Sequence, residues 1–420
     1  MKQLKLGIIG LGYVGLPLAI LFAKKYQVIG YDQDKSRIKE LKNFQDKTNE
    51  ISNSDLKKSI SKSLNVTFNK QDLLNCDVYI IAVPTPIDEN NNPDLKILKS
   101  ATRMVGELIS KGNIVIFEST VFPGCTEDIC VPILESSSKL DYNKDFYCGY
   151  SPERVNPGDK KHTIDKIIKV TSGSNTHSSN IINQLYSSVV KAGTYAAPSI
   201  KVAEAAKVIE NAQRDINIAF INELSRIFSL MKLDTNEVLE AASTKWNFLN
   251  FKPGLVGGHC IGVDPYYLSS KAQEIGYHPE IILAGRNVND SMGKFISEEI
   301  LQLIKNSPVK KNNALILGIS FKEDCPDFRN TKVVDIISCL NDNQIQTDVF
   351  DPWVDPKSFK KEYGIEVLSS LPVKKYNIII LAVAHNCFID IDLNSLKSTA
   401  FSIVYDIKGF FDKKNVTKRL

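Results

Sequence analysis

Blocks of apolar and polar residues alternate along the N-terminal third of the chain in a pattern that predicts strands followed by helices. Short continuous apolar runs favour buried strands, and apolar residues three or four positions apart favour helices. The predicted strands are 4–9, 28–32, 78–83 and 114–117, with a helix at 15–24. Strands that alternate with helices usually pair in parallel, so this region is predicted to form a parallel sheet covered on both faces.

The C-terminal region repeats this pattern weakly. Strands are predicted at 314–318, 346–351, 377–382 and 403–406, with a helix at 331–340. Both regions read as strand, glycine turn, helix, and a strand that ends in an aspartate. The sequence therefore predicts two related α/β units at the two ends of the chain.

A long helix is predicted between these units, because residues 201–232 contain neither Gly nor Pro. At 1.5 Å per residue it would extend about 45–48 Å. Most of its faces are rich in Ala, Ile and Val, so it must be buried between domains or against a second copy of the chain. We therefore expect a homodimer as the smallest assembly, or a higher homo-oligomer.

Composition limits the classes of function. A chain of 420 residues is expected to form two or three domains, and its net charge of +4 is spread out, without the dense basic patch of a nucleic-acid-binding protein. No apolar stretch approaches the length of a membrane span, and we interpret the N-terminal apolar run as strand and helix rather than as a signal peptide. The eight cysteines form no C-x-x-C pair, which favours reduced thiols in a cytoplasmic protein without a bound metal.

The first candidate site is the glycine motif Gly10-Leu-Gly12-Tyr-Val-Gly15, between a predicted strand and a predicted helix. Such glycines allow a tight turn and the close approach of a pyrophosphate to the helix N-terminus. Asp32 ends the next strand, where a carboxylate binds the adenosine ribose and repels a 2′-phosphate. The motif predicts NAD rather than NADP; the alternative is that the glycines only pack the helix on the strand.

The second candidate is a glycine-rich segment before a cysteine. Gly254, Gly257 and Gly258 precede His259 and Cys260, and Asp264 follows four residues later. Glycines let a backbone approach a ligand, which would place a reactive thiol beside a substrate. A buried structural cysteine is an equal alternative from these residues alone, and a zinc site is a minor one because no neighbouring ligands complete it.

The third candidate is a polar stripe on the long helix. Glu204, Lys207, Asn211 and Arg214 recur at helical spacing, and Lys207 and Asn211 lie one turn apart. Together these two side chains could stabilise a developing oxyanion. The alternative is an exposed face of salt bridges.

Three further segments join these candidates into one resemblance: Glu118-Ser-Thr-Val-Phe-Pro-Gly124, Ser151-Pro-Glu-Arg154 and Ser320-Phe-Lys-Glu-Asp324 with Arg329. Over nearly its whole length the chain resembles the UDP-sugar 6-dehydrogenases of the UDP-glucose/GDP-mannose dehydrogenase family. The family oxidises the C6 alcohol of a nucleotide sugar to a carboxylate with two NAD⁺. The resemblance implies NAD as cofactor and a UDP-sugar as substrate.

Local differences point to one branch of that family. Where UDP-glucose dehydrogenases typically have G-F-G-G-S-C followed by K-D, this chain has V-G-G-H-C-I-G-V-D-P at 256–265. With Trp246-Asn-Phe-Leu249 and Gly285-Arg-Asn-Val-Asn-Asp290, this form is similar to the UDP-N-acetylhexosamine dehydrogenases, most of all those that oxidise UDP-N-acetylglucosamine for surface polysaccharides. The configuration of the sugar, gluco, galacto or manno, is not fixed by these residues.

The resemblance implies a role for each matching residue. Cys260 would capture the C6 aldehyde as a thiohemiacetal and then carry a thioester, and Lys207 with Asn211 would stabilise the oxyanion. Asp264 and Thr120 would position a water, and Glu153 would act in thioester turnover. The implied cofactor contacts are Gly10, Gly12, Tyr13, Val14, Gly15, Asp32, Arg37, Thr85, Thr120 and Arg329. The implied substrate contacts are Glu153, Arg154, Val155, Lys207, Asn211, Asn250, Phe251, Lys252, Gly254, Gly257, Lys322 and Arg286.

The predicted architecture is α/β, with two Rossmann-like doubly wound parallel-sheet domains joined by a long central helix. We place an NAD-binding domain at 1–195, a central helical and dimerisation domain at 196–305, and a UDP-binding domain at 306–420. Three alternatives remain: a dehydrogenase of another UDP-sugar, a β-hydroxyacid dehydrogenase, and a non-catalytic NAD-binding regulator. A β-hydroxyacid dehydrogenase would need neither Cys260 nor the C-terminal unit. A non-catalytic regulator would leave Cys260, Lys207 and Asp264 unexplained.

Overall fold

A computed structural model describes residues 4–155, 161–308 and 313–420. The chain forms two compact units: Met1–Glu210 with Tyr266–Tyr277 (unit 1), and Asn211–Pro265 with His278–Leu420 (unit 2). The division into three domains at 195 and 305 stays a prediction. Within the described ranges, no helix combines the length and apolar character needed to cross a membrane.

Unit 1 is built on one sheet, in which the described strands have the order β3-β2-β1-β4-β5-β6-β7-β8. Neighbouring strands are parallel, except that β6 and β7 are antiparallel. The strands are β1 (Lys5–Ile9), β2 (Gln27–Tyr31), β3 (Leu64–Thr67), β4 (Val78–Ile81), β5 (Ile114–Phe117), β6 (Tyr147–Tyr150), β7 (Lys169–Gly173) and β8 (Thr194–Ala196). The order reverses between β1 and β4, which is where doubly wound sheets bind ligands.

Helices cover the sheet of unit 1, and side chains such as Leu6, Ile8 and Ile80 are fully buried beneath them. The helices are α1 (Gly15–Phe22), α2 (Lys35–Lys42), α3 (Asn53–Ile60), α4 (Lys96–Gly106), α5 (Val131–Ser138) and α6 (Thr176–Ser187). A 3₁₀ turn lies at Lys70–Leu73, and a π-helical turn at Thr126–Cys130 precedes α5. The long central helix, α7, spans Ile200–Met231, one residue earlier than predicted, and passes from unit 1 into unit 2.

Unit 2 contains the second sheet, in which the described strands have the order β11-β10-β9-β12-β13-β14, all parallel. The strands are β9 (Asn313–Leu317), β10 (Gln346–Phe350), β11 (Val367–Leu368), β12 (Ile378–Leu381), β13 (Ile403–Asp406) and β14 (Lys418–Arg419). Its helices are α8 (Thr235–Ala242), α9 (Asp264–Glu274, which continues into unit 1), α10 (Glu280–Asp290), α11 (Met292–Lys305), α12 (Val333–Asp342), α13 (Pro356–Tyr363) and α14 (Leu393–Leu396). Short 3₁₀ turns lie at Asn386–Phe388 and Lys413–Asn415.

The first six strands of unit 1 and the six strands of unit 2 follow the same order, with the first strand in the middle and the third at one edge. This is the doubly wound arrangement of dinucleotide-binding domains. The predicted fold class, two Rossmann-like sheets and a long central helix, is confirmed.

Candidate active site

The glycine turn between β1 and α1 leaves room for a ligand at one of its three glycines. Gly10 has φ +92°, and a Cβ there would lie 2.8 Å from the Ala82 carbonyl oxygen. A Cβ on Gly15 would lie 1.8 Å from the Gly10 oxygen, whereas a Cβ on Gly12 would have no heavy atom within 4 Å. Gly10 and Gly15 are thus required by the packing of the chain itself, and Gly12 keeps the space open that a pyrophosphate needs.

Asp32, directly after β2, supports this turn from the side. Its Oδ2 accepts a hydrogen bond from Leu11 N (2.9 Å) and its Oδ1 accepts one from Asp34 N (2.9 Å). Its position at the end of the second strand is the one that binds the adenosine ribose of a dinucleotide. The residues of the turn therefore fit NAD.

Arg37, predicted to contact the cofactor, is 4% exposed and engaged within the protein. Its Nε donates to Leu11 O (2.9 Å), and its terminal nitrogens donate to Glu40 (2.7 Å) and Asp46 (2.8 Å). This geometry gives Arg37 a supporting role behind the glycine turn rather than a direct contact.

The loops that follow β4 and β5 are hydrogen-bonded to each other at the carboxyl edge of the sheet. Thr85 Oγ1 donates to Thr120 O (2.7 Å), and Ser119 Oγ donates to Val83 O (2.6 Å). The structure thus brings the predicted cofactor residue Thr85 next to Thr120.

A cavity of about 620 Å³ within unit 1 opens beside the glycine turn. Tyr13 and Val14 line it, as do Glu153 and Val155. Four residues that were assigned separately to cofactor and substrate therefore share one space. Arg154 is exposed and pairs with Glu210 (2.7 Å).

The structure adds a buried ion cluster that the sequence did not reveal. Lys169, at the start of β7, is 1% exposed and contacts Glu118 (2.7 Å) and Glu153 (3.1 Å). Burial raises the pKa of Glu118 to about 7, although the Lys169 ammonium acts to lower it. Burial lowers the pKa of Lys169, but the two carboxylates outweigh burial and raise it above its usual value. The only sequence signal was a lysine next to a run of buried strand residues.

The polar stripe of α7 is buried over its first three positions. Glu204, Lys207 and Asn211 are 0%, 7% and 6% exposed, whereas Arg214 is exposed. The alternative of an exposed face of salt bridges is therefore wrong for those three residues. Glu204 accepts from Gly124 N (2.6 Å) and Thr126 N (2.9 Å), and burial raises its pKa to about 7 in spite of these bonds.

Within unit 2, Asn211 reaches the turn that carries Cys260. Asn211 Nδ2 donates to Asp264 Oδ2 (2.5 Å), and Asp264 N donates to Cys260 O (2.8 Å). Asp264 is 1% exposed, and Cys260 is half-buried. The alternative of a fully buried structural cysteine is not what the structure shows.

The glycines before Cys260 pack against a neighbouring segment of unit 2. A Cβ on Gly257 would lie 2.8 Å from Asn330 O, and Gly258, with φ +80°, lies against the Phe321 ring. Gly254 is held at both ends by Asn222, through N to Oδ1 (2.8 Å) and Nδ2 to O (3.0 Å). Gly257 and Gly258 are therefore needed first for close packing of the chain on itself, whereas a Cβ on Gly254 would lie no nearer than 3.8 Å to another residue. Asn250, Phe251 and Lys252 precede these glycines, and Asn250 and Lys252 are exposed.

The segment 320–331 packed on these glycines carries the predicted ligand residues Lys322 and Arg329, both half-buried. Arg329 Nε donates to Asp327 Oδ1 (2.9 Å), and Arg329 Nη2 lies 3.3 Å from His259 Nε2. Although burial opposes it, the Arg329 guanidinium holds the pKa of Asp327 below its usual value. Asp327 and Arg329 therefore form an ion pair beside the residue that precedes Cys260.

Arg286, predicted to contact substrate, is 2% exposed within α10. It pairs with Asp215 (2.6 Å) on α7 and with Asp290 (2.5 Å). These ion pairs join α10 to α7, and a contact of Arg286 with the substrate, including one in a neighbouring subunit, stays a prediction.

Comparisons with known proteins agree with this geometry. Residues 4–190 match the NAD binding domain of the UDP-glucose/GDP-mannose dehydrogenase family, residues 201–291 match its central domain, and residues 315–413 match its UDP binding domain. The chain is 52% identical to a UDP-N-acetyl-D-glucosamine 6-dehydrogenase of Pseudomonas aeruginosa, with all of both chains covered. It is 50% identical to the enzyme of the same name from Salmonella typhi, with 97% of this chain and 96% of the relative covered.

A solved structure supports the same relationship. The UDP-D-ManNAc dehydrogenase from Pyrococcus horikoshii superimposes with a TM-score of 0.86 at 29% identity, over 98% of this chain and 96% of that chain. The predicted resemblance and the predicted cofactor, NAD, are confirmed by these matches. The chain belongs to the UDP-glucose/GDP-mannose dehydrogenase family.

Proposed function

We propose that this protein oxidises the C6 alcohol of a UDP-N-acetylhexosamine, UDP-N-acetylglucosamine in the first place, to the uronic acid with two NAD⁺ per sugar. The names of the relatives at 52% and 50% identity support the substrate. The observation that carries the chemistry is the buried Asn211–Asp264 hydrogen bond, because it joins the turn of Cys260 to the helix of Lys207.

In this proposal, Cys260 is the nucleophile. Its sulfur adds to the C6 aldehyde, the carbonyl oxygen takes up a proton, and the resulting thiohemiacetal retains the intermediate between the two oxidations. Loss of the second hydride from C6, together with the proton of the thiohemiacetal hydroxyl, leaves a thioester. One water then adds to the carbonyl, the C–S bond breaks, the thiol is restored, and the uronate and one proton are released.

The other residues act on charge and protons. The ammonium of Lys207 and the second amide hydrogen of Asn211 stabilise the oxyanion at C6, since Asp264 uses the first. Asp264 and Thr120 position a water for proton transfer, and Glu153 takes a proton from the water that cleaves the thioester. When bound, NAD⁺ accepts the hydride in each oxidation. Gly10, Gly12, Gly15 and Asp32 are the residues that would hold it.

The UDP group is assigned to unit 2, whose residues 315–413 match the family's UDP binding domain. The ammonium of Lys322 and the backbone amides of the loop 250–258 supply donors of the kind that a diphosphate needs.

The test is the yield of NADH from limiting UDP-GlcNAc, UDP-GalNAc, UDP-ManNAc and UDP-glucose, measured in parallel. We expect two NADH per sugar and a preference for UDP-GlcNAc. In Cys260→Ser, uronate formation should stop while the first oxidation persists, whereas Lys207→Ala should suppress both. Uronate formation at the parent rate by Cys260→Ser would exclude the thioester, and NAD binding without turnover on any of the four sugars would favour a regulator.

A further inference from the structure

Lys169 is held in one orientation by three oxygens. Its Nζ donates to Glu118 Oε2 (2.7 Å), to Pro152 O (2.9 Å) and to Glu153 Oε2 (3.1 Å). An ammonium has three hydrogens, so these contacts account for all of them. The direction of each bond is therefore fixed by the buried surroundings of the side chain.

Glu153 is held from two sides. Its Oε1 accepts from Arg154 N (2.8 Å) and from Val155 N (2.7 Å), which belong to its own loop. Its Oε2 accepts from Lys169, which belongs to the sheet. Lys169 thus connects the carboxylate of a loop residue to strand β7.

Glu118 stabilises the lysine from the opposite side. It follows β5 directly, pairs with Lys169, and accepts a hydrogen bond from the Tyr186 hydroxyl. The Lys169 ammonium also lies 5.6 Å from the centre of the Tyr186 ring. A buried ammonium is costly unless it is paired, so Glu118 allows Lys169 to remain charged at this position.

We propose that Lys169 is a positioning residue for Glu153 in thioester hydrolysis. The inference rests on the proposed function, in which Glu153 accepts a proton from the attacking water. Lys169 acts through the orientation of the Glu153 carboxylate and leaves both hydride transfers unchanged. Without the lysine, the carboxylate keeps its loop contacts but loses its connection to β7.

The experiment is Lys169→Met in the full-length enzyme with saturating NAD⁺ and UDP-GlcNAc. Misplacement of a reacting group costs on the order of 100-fold, so we expect turnover to fall roughly 10- to 100-fold. A rapid burst of two NADH per active site should precede the slow phase, and intact mass should show the acyl group on Cys260. The matched control is Lys166→Met, the same change at an exposed position nearby, which should retain the parent rates.

A purely structural role for Lys169 would instead lower the burst amplitude together with the slow rate. If Lys169→Met does not fold, Glu118→Gln with Lys169→Met removes both buried charges and should give the same accumulation of acyl-enzyme. Equal decay of the acyl-enzyme in this double variant and in the parent would overturn the inference.

The variant Glu153→Gln tests the proposed role of Glu153 separately from the positioning role of Lys169. If Glu153→Gln alone does not accumulate acyl-enzyme, the proposed role of Glu153 is wrong. If it does, adding Lys169→Met should slow hydrolysis no further, because both changes act on one group. A further multiplicative loss would show that Lys169 acts independently of Glu153.

Discussion

Asn211 on α7 donates from Nδ2 to Oδ2 of Asp264 across 2.5 Å, and both side chains are buried. Asp264 is the first residue of α9, and its backbone N–H closes the turn that begins at Cys260. One side-chain bond therefore fixes the distance between the long helix and the turn of the cysteine. The contact also leaves one amide hydrogen of Asn211 for an oxyanion.

The charge of Asp264 can be separated from its anchoring role. Asp264→Asn retains an oxygen that accepts from Asn211 but removes the negative charge, so kcat should fall about 100-fold or more if the carboxylate assists proton transfer. The free energy of unfolding should change little. Asp264→Ala should lose similar activity and, because it leaves a buried amide without an acceptor, an additional ~1–3 kcal/mol of stability. NADH formation and urea unfolding measure the two effects, and an unchanged kcat in Asp264→Asn would contradict the assigned role.

The Asp32 carboxylate should strengthen the binding of NAD without changing the affinity for the UDP-sugar. A hydrogen bond to a charged group contributes about 1.5–3 kcal/mol, so Asp32→Asn should raise KM for NAD⁺ on the order of 10-fold and leave KM for the UDP-sugar unchanged. Asp34→Asn is the matched control, because Asp34 lies two residues further and only caps α2. Initial rates at varied NAD⁺ and at varied UDP-sugar give the two constants. Equal effects of the two substitutions would show that Asp32 does not contact the cofactor.

The predicted dimer would form through a specific surface on α7. Val202, Ile209, Phe220 and Ile227 lie within one narrow face at helical spacing and are 44–56% exposed. Such an apolar stripe is typical of an interface, so we expect it to be buried against a second copy. Phe220→Asp should dissociate the dimer in sedimentation velocity, whereas Val373→Asp, at a 94% exposed position off the helix, should not. A monomeric parent protein would refute the prediction.

Stability should depend on pH through Glu204. Its pKa is raised from 4.5 to about 7 by burial, so the folded state holds a proton that the unfolded state releases. Between these two values stability therefore falls as pH rises, by on the order of 1 kcal/mol per pH unit, and the loss is complete above pH 7.

Urea unfolding at several pH values between 5 and 8 tests this dependence. Glu204→Gln cannot titrate, so its stability should decline less steeply over this range than that of the parent. Glu223→Gln, an exposed position on the same helix, should retain the parent slope. Identical slopes in all three proteins would mean that Glu204 stays ionised in the folded state.

The long helix and eight of the strands could be predicted from the sequence, because the absence of Gly and Pro and continuous apolar runs are local signals. The inner strands β6 and β7 and the edge strand β3 were not predicted. The predictions at 114–117 and 403–406 match β5 and β13, and α7 differs by one residue at each end. Short edge strands such as β8, β11 and β14 were not predicted, since two or three residues carry no readable period.

Pairs of residues far apart in sequence could not be predicted either. Lys169 and Glu118 are 51 positions apart, and nothing in their spacing indicates a contact. The glycines near Cys260 were assigned to a ligand, whereas Gly257 and Gly258 pack on segment 320–331. That assignment requires the three-dimensional neighbours of each glycine, which a single sequence does not contain.

The two α/β units use an equivalent aspartate in different ways. In unit 1, Asp32 accepts from Leu11 N, and in unit 2, Asp351 accepts from Ile319 N (2.7 Å) after the corresponding strand. Asp351 also accepts from His385 Nε2 (3.0 Å) and is buried, whereas Asp32 is not. Burial opposes ionisation, but His385 and the backbone amides hold the pKa of Asp351 below its usual value. The second aspartate therefore organises the protein, whereas the first is proposed to contact the cofactor.

Substitution of His385 should consequently weaken binding of the UDP-sugar but not binding of NAD. Its Nδ1 accepts from Asp324 N (2.9 Å), so His385 connects Asp351 to the segment 319–324 that carries Lys322. His385→Ala removes both contacts and should raise KM for UDP-GlcNAc roughly 10-fold, since each lost bond is worth about 1 kcal/mol, with KM for NAD⁺ unchanged. His177→Ala, at an exposed position in unit 1, is the control. Equal increases in both constants would indicate general unfolding, and no change in either would show that the segment holds Lys322 in place without His385.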